Sequence, residues 1–204
     1  MKLKFILPLA LLLSGFAALA QEQAKPDWKH EVADFQKELN EEFGDPGRSP
    51  LPKAALKKFE GLAFFPADSS YRLEAEFIRT PNQLPFEMPT TTGRQAVYEK
   101  YGEVHFKLQG KPFVLNVYQS HTLRAREGYH DYLFLPFTDA SNGDSSYGGG
   151  RYLDLRIPAD NTITLDFNKA YNPFCAYSPV YSCPIPPKEN RLPIQILAGV
   201  KSPK

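Results

Sequence analysis

The residues best suited to chemistry lie between Thr138 and Cys183. Asp154 and Asp166 sit in two short stretches with the same period of two, Leu153-Asp154-Leu155 and Leu165-Asp166-Phe167. Joining these across Pro158-Ala159-Asp160-Asn161 as a β-hairpin predicts Leu155 opposite Leu165, Leu153 opposite Phe167 and Tyr152 opposite Asn168, with Asp154 directly opposite Asp166. Two carboxylates facing each other across a ladder repel. They persist where an arginine neutralises them, a cation bridges them, or one keeps its proton. Arg156, two residues from Asp154, is the simplest neutraliser. An unneutralised pair would suit general acid–base chemistry or glycoside hydrolysis.

Just before these strands runs Thr138-Asp139-Ala140-Ser141-Asn142-Gly143-Asp144-Ser145-Ser146-Tyr147-Gly148-Gly149-Gly150, followed at once by Arg151. Three consecutive glycines allow either a close approach of backbone to a ligand or a long strand connection. Asp139, Ser141 and Gly143 suggest a calcium loop, but Asp144 and Gly150 stand where an EF-hand needs glycine and a bidentate glutamate. No phosphate loop is present and no motif calls for a cofactor. Tyr147, Arg151, Tyr152, Asn168, Tyr171 and Asn172 offer aromatic faces with guanidinium and amide donors, a combination suited to a small polar ligand such as a sugar or peptide end.

Cys175 and Cys183 are eight residues apart. Outside the cytosol such a pair reads as a disulfide. Their spacing is not that of a zinc site, and no histidine is near them in sequence, so no metal site is expected. Use of Cys175 as a nucleophile would need a base from elsewhere, with His105, His121 and His130 the histidines that follow the helices.

The chain as a whole is a plausible carrier of one such site. Its 204 residues suit a single domain, and a formal charge of +1 gives no footprint for nucleic acid. Lys2 and Lys4, an apolar run from Phe5 to Leu13 and Ala18-Leu19-Ala20 have the three parts of a secretory signal peptide. The expectation is therefore a signal peptide over 1–20 and one globular domain over 21–204, exported to the periplasm or medium, with no membrane insertion after cleavage. Loss of Lys2 and Lys4 turns the formal charge to −1.

In the mature chain, Asp27 can cap a helix whose Trp28, Val32, Phe35, Leu39 and Phe43 share one face, with Gly44 as its stop. Ser49-Pro50 predicts a second, running through Leu56 and Phe59 to Gly61. The period then changes to two. It predicts strands at Tyr71–Phe77, a hairpin of Val104–Leu108 with Phe113–Val117, a strand at Tyr132–Phe137, the hairpin bearing the two aspartates, and a last strand near Ile194–Leu197. The fold class is α+β, mainly β: two N-terminal helices on a curled antiparallel sheet or β-barrel. Pro173, Pro179, Pro184, Pro186, Pro187 and Pro193 crowd the segment after the aspartates, which predicts an irregular wrap rather than a ladder.

The stretches PFTDASNGDSSYGGGRYLDL, LDFNKAYNPFCAYSPVYSCPIPPKEN and ILAGVK resemble signature segments of the bacterial domain-of-unknown-function family numbered 1684. Phe59-Glu60-Gly61-Leu62 with Phe65-Pro66, and Phe86-Glu87-Met88-Pro89, are similar to its N-terminal half. The family is uncharacterised, so the resemblance implies no activity. It implies that the Gly-rich loop, the aspartate strands and the Asn-Pro-x-Cys segment form one unit. Three functions remain open on the sequence: a binding module for a small polar ligand, a hydrolase using Asp154 and Asp166, and a structural envelope protein.

Overall fold

The computed structural model describes residues 27–203. The signal peptide expected over 1–20 lies outside them. Helix α1 (Trp28–Gly44) forms as its pattern predicts, with the Asp27 carboxylate accepting from the Lys29 N–H and with Val32 and Phe43 buried. Helix α2 is only Lys53–Leu56. The expected start at Ser49-Pro50 fails because Pro52 follows two residues later and forces Leu51 out of helical geometry. The Ser49 hydroxyl instead accepts from the Leu51 N–H in a local turn.

The rest is mainly β, a curled antiparallel sheet forming a half-barrel. Strands β1 (Arg72–Arg79), β2 (Phe86–Met88), β3 (Ala96–Leu108), β4 (Lys111–Ser120), β5 (Tyr132–Phe137), β6 (Arg151–Arg156) and β7 (Thr162–Asp166) are ordered β6-β5-β4-β3-β1-β7, with β2 added on β3. The expected β3–β4 hairpin is present, turning at Gln109-Gly110. The curl has a local cause. The β3–β4 register shifts between Lys100 and Gly102, and a side chain at Gly102 would lie 2.7 Å from the Ile78 carbonyl oxygen.

Two further sequence expectations are corrected. Strands β6 and β7 do not form a hairpin. Leu153 and Leu155 pair with Leu135 and Leu133 of β5, whereas Leu165 and Ile163 pair with Leu73 and Ala75 of β1. The two strands therefore stand at opposite ends of the sheet order, and Asp154 lies opposite Phe134 while Asp166 lies opposite Arg72. The connection between them is held apart at both ends: Ile157 N–H donates to the Asp131 carbonyl at 2.8 Å, and Phe77 N–H to the Asn161 carbonyl at 2.8 Å. The expected last strand at Ile194–Leu197 is also absent: the Ile194 carbonyl accepts from the Ala140 N–H at 3.0 Å, and the Ile196 carbonyl accepts from a side chain rather than from a neighbouring strand.

That side chain is Arg151. It is fully buried, and its guanidinium donates to Asp139 Oδ2 at 2.9 Å, to the Ile196 carbonyl at 2.7 Å and to the Ala198 carbonyl. Asp139 also accepts from the N–H groups of Ser141 and Ile196, at 2.8 and 3.1 Å. Burial lowers the Arg151 pKa and the adjacent Asp139 carboxylate raises it. The pair thus pins the Gly-rich loop to the C-terminal segment. Gly150 makes this possible, since its φ is +88° and a side chain there would lie 2.6 Å from the Phe137 carbonyl oxygen.

A second buried polar group closes the sheet. β4 and β5 share the pairing Tyr118–Phe134, and beyond it the Asn190 amide stands in for backbone. It accepts from the Asn116 N–H at 2.8 Å and donates to the carbonyls of Asn116 and Pro136 at 2.8 and 2.7 Å. Inside the curl, Val104, Leu115, Leu133, Leu135, Phe137 and Leu165 form a closed apolar core, capped by Leu192, Ile196 and Ala198. Each such large side chain contributes about 1.5–3 kcal/mol by leaving water.

Removing one partner of the buried ion pair leaves the other uncompensated. Arg151→Met is expected to lose about 3–5 kcal/mol of unfolding free energy, read as a lower urea midpoint with the slope of the transition unchanged. Stability within 1 kcal/mol or so of the parent would contradict this role.

Candidate functional site

The alternation that buries Leu153 and Leu155 turns Asp154 to the opposite face of the sheet. That face is aromatic: Tyr98, Tyr118, Phe134 and Tyr152 cluster there with Met88, and Tyr132 and Tyr171 pack against them. Tyr132 comes from β5, opposite Arg156. Tyr171 is placed by a backbone bridge in which Tyr152 and Tyr171 exchange N–H···O bonds of 2.9 and 3.0 Å. Both phenols then donate to the same oxygen, Asp154 Oδ1, at 2.7 Å from Tyr132 and 2.6 Å from Tyr171. Asp154 Oδ2 accepts no hydrogen bond among the described residues.

Crowding by protein raises the Asp154 pKa above the ordinary 3.8, while the two phenols and Arg156 pull it down. The residue nevertheless keeps exposed surface, so water tempers the shift. Burial, and then the neighbouring carboxylate, raise both phenol pKa values. The phenols therefore act as donors held in place. The carboxylate is the group that can change state.

Asp154 and Tyr171 open onto a groove of about 520 Å³ between the sheet and α1. Its walls include Phe35, Leu39, Glu38 and Glu42 of α1, together with Tyr129 and Phe174. Arg48 also lines it and is tied to Asp45 at 2.8 Å. Aromatic walls with a few carboxylates can hold a small polar ligand by stacking and hydrogen bonding.

Most of the other candidates have internal partners. Arg151 is spent on Asp139 and the C-terminal carbonyls. Asn168 is buried, bonded to Asp68 at 2.9 Å and to Asp166 at 2.8 Å. Asn172 is buried and donates to the Tyr177 hydroxyl and the Lys201 carbonyl, at 3.1 and 2.8 Å. Tyr152 is buried with its hydroxyl on the Pro184 carbonyl. Tyr147 is half-buried, its hydroxyl 4.0 Å from Cys175 Sγ. Cys175 and Cys183 are neighbouring free thiols.

Asp154 and Asp166 do line one cleft, of about 460 Å³, between the terminal strands β6 and β7, but they are not a pair across a ladder. Asp166 Oδ2 accepts from Arg72 at 2.9 Å and its Oδ1 from the Asn168 backbone and amide N–H groups, at 3.0 and 2.8 Å. Arg156, the expected neutraliser, bonds Asp131 at 2.7 Å instead. Arg72 also holds Glu31 of α1 at 3.0 Å. Sequence reasoning missed Asp139 as the partner of Arg151, and it missed Tyr132, Tyr129 and Asn190. The outward period of β5 could have flagged Tyr132. Nothing local marks Asn190.

Residues 57–201 match the family described as Protein of unknown function (DUF1684). The chain belongs to this family. The match spans Asp154, Tyr132 and Tyr171 and both cysteines, whereas the α1 wall of the groove precedes it. A solution NMR structure of an uncharacterized protein from Haloarcula marismortui is similar over 86% of this chain and 94% of its own, at 35% identity and a TM-score of 0.68. No curated protein matches the chain.

A carboxyl whose folded pKa is raised binds its proton more tightly in the folded state. Its contribution to stability is fully present at acid pH and is lost as pH rises from the ordinary aspartate range through the folded value. Asp154→Asn does not titrate, so its melting temperature is expected to gain on the parent's across that window and then stay level. A difference that is flat, or that shrinks as pH rises, would contradict the raised pKa.

Proposed function

We propose that this chain is an exported domain that binds a small polar ligand, sugar- or peptide-like, in the groove between α1 and β6. The observation that supports this most is Asp154: Tyr132 and Tyr171 fix its Oδ1, and its Oδ2 has no partner among the described residues at a groove of about 520 Å³, a size within the range of small-molecule sites. Holding a carboxylate rigid beside Tyr129, Tyr171 and Phe174 lowers the entropy cost of gripping a ligand hydroxyl or amine. Export rests on the basic, apolar and Ala18-Leu19-Ala20 parts of the N-terminus. Hydrolysis by an Asp154–Asp166 pair has less support, because Asp166 is occupied by Arg72 and Asn168.

A thermal-shift screen of mono- and disaccharides and short peptides tests the reading. A ligand at a hundred times its Kd should raise the melting temperature by about 5–10 °C, and Asp154→Asn or Tyr171→Phe should abolish the rise while remaining folded. A shift that survives both substitutions, or the lack of any shift across the panel, would overturn it. Secreted protein should begin at Gln21 by mass spectrometry; retention of residues 1–20 would remove the export part.

A further inference from the structure

The segment from Phe174 to Cys183 runs from α1 to the turn after β2. Phe174 and Tyr177 pack edge-on against Phe43 of α1, at centroid distances of 6.0 and 4.8 Å. At the other end, Thr91 N–H donates to the Cys183 carbonyl at 3.0 Å, and Cys183 N–H donates to Thr91 Oγ1 at 3.1 Å. The Ser182 hydroxyl lies within hydrogen-bond distance of the Thr90 and Thr92 hydroxyls, at 3.1 and 2.6 Å. The two cysteines meet where this loop closes on itself. Cys175 N–H donates to Cys183 Sγ at 3.2 Å. Cys183 is buried and Cys175 half-buried. Among the described residues no group of three His, Cys, Asp or Glu side chains could hold a metal ion.

We infer that Cys175 and Cys183 form a reversible dithiol–disulfide pair that locks the loop between α1 and the Thr90–Thr92 turn. Exchange with a small disulfide such as glutathione disulfide supplies the oxidant. Cys175, reached from solvent, attacks as its thiolate; the S–S bond of glutathione disulfide breaks, one glutathione thiolate leaves, and a mixed disulfide remains on Cys175. Cys183 then loses its proton to solvent, attacks Cys175 Sγ and expels the second glutathione thiolate. Two protein thiols are oxidised and one glutathione disulfide is reduced to two thiols. Because Cys183 Sγ already lies against the backbone of Cys175, closure asks little of the chain. Burial pushes the Cys183 thiol up to about 12, so the closing step is slow at neutral pH and quickens about tenfold per pH unit. The loop carries Phe174, a wall of the groove, so the lock sets how firmly that wall is held. It is independent of what the groove binds.

The full chain is incubated with glutathione disulfide at mildly alkaline pH, quenched with acid, unfolded without reductant and assayed for thiols and mass. Both thiols should disappear into an intramolecular disulfide, with a rise in melting temperature of about 5–10 °C for so short a loop, reversed by dithiothreitol. Cys183→Ala should stop at a single glutathione adduct on Cys175. If that variant fails to fold, early acid quenching of the parent and peptide mapping read the same order of attack. Two reactive thiols persisting in the folded parent, glutathione on both cysteines, or a first adduct on Cys183 would each overturn the proposal.

Discussion

The buried ion pair of Asp139 and Arg151 is the constraint on which the rest of the molecule depends. Neither charge reaches water, so each must find its partners inside. The guanidinium satisfies the carbonyls of Ile196 and Ala198 in an irregular C-terminal segment, and the carboxylate collects N–H groups from the loop after β5 and from Ile196. Loop and C-terminal segment are thereby fixed to one point. Ile196 and Ala198 then cap the apolar interior. The last of the three glycines before Arg151 is explained by this packing. At Gly150 the backbone passes too close to Phe137 and Pro186 to admit a side chain.

Arg151 opens β6, and its fixed position sets the phase of the strand. Residues 153 and 155 enter the closed core, so residue 154 must face the tyrosine-rich side. The inner face contributes stability through its buried apolar side chains. The outer face carries a carboxylate with one oxygen clamped and the other without a partner among the described residues, beside a groove that needs α1 for its second wall. Phe43 reaches from α1 to Phe174 and Tyr177, linking the helix that walls the groove to the loop that carries both cysteines.

Local chemistry was legible in the sequence, and partnership across distance was not. The Asp27 cap, the helical stripe ending at Gly44 and the turn at Gln109-Gly110 each follow from neighbouring residues, and the structure has them. The strands bearing Asp154 and Asp166 were also legible as strands. Their mutual pairing was not, because Leu153 and Leu155 match the apolar period of β5 as well as that of β7, and alternation alone does not choose between partners. The same limit hid the partner of Arg151: a lone basic residue after three glycines reads as a ligand contact until Asp139 and the C-terminal carbonyls are seen around it. Asn190 mimics a strand backbone with its side chain, a role that has no sequence period at all.

Arg151 is a buried charge that builds the fold, whereas the partly open carboxylate of Asp154 is available for function. The state of Asp154 decides between this and a purely structural reading of both. Carboxyl-carbon NMR of the folded protein, titrated with pH, reports that state directly. Asp154 is expected to titrate above the ordinary aspartate value of 3.8, and Tyr171→Phe, which removes one donor from the carboxylate, is expected to move it higher still. Titration at or below 3.8 in the parent, or no response to loss of the Tyr171 hydroxyl, would contradict it.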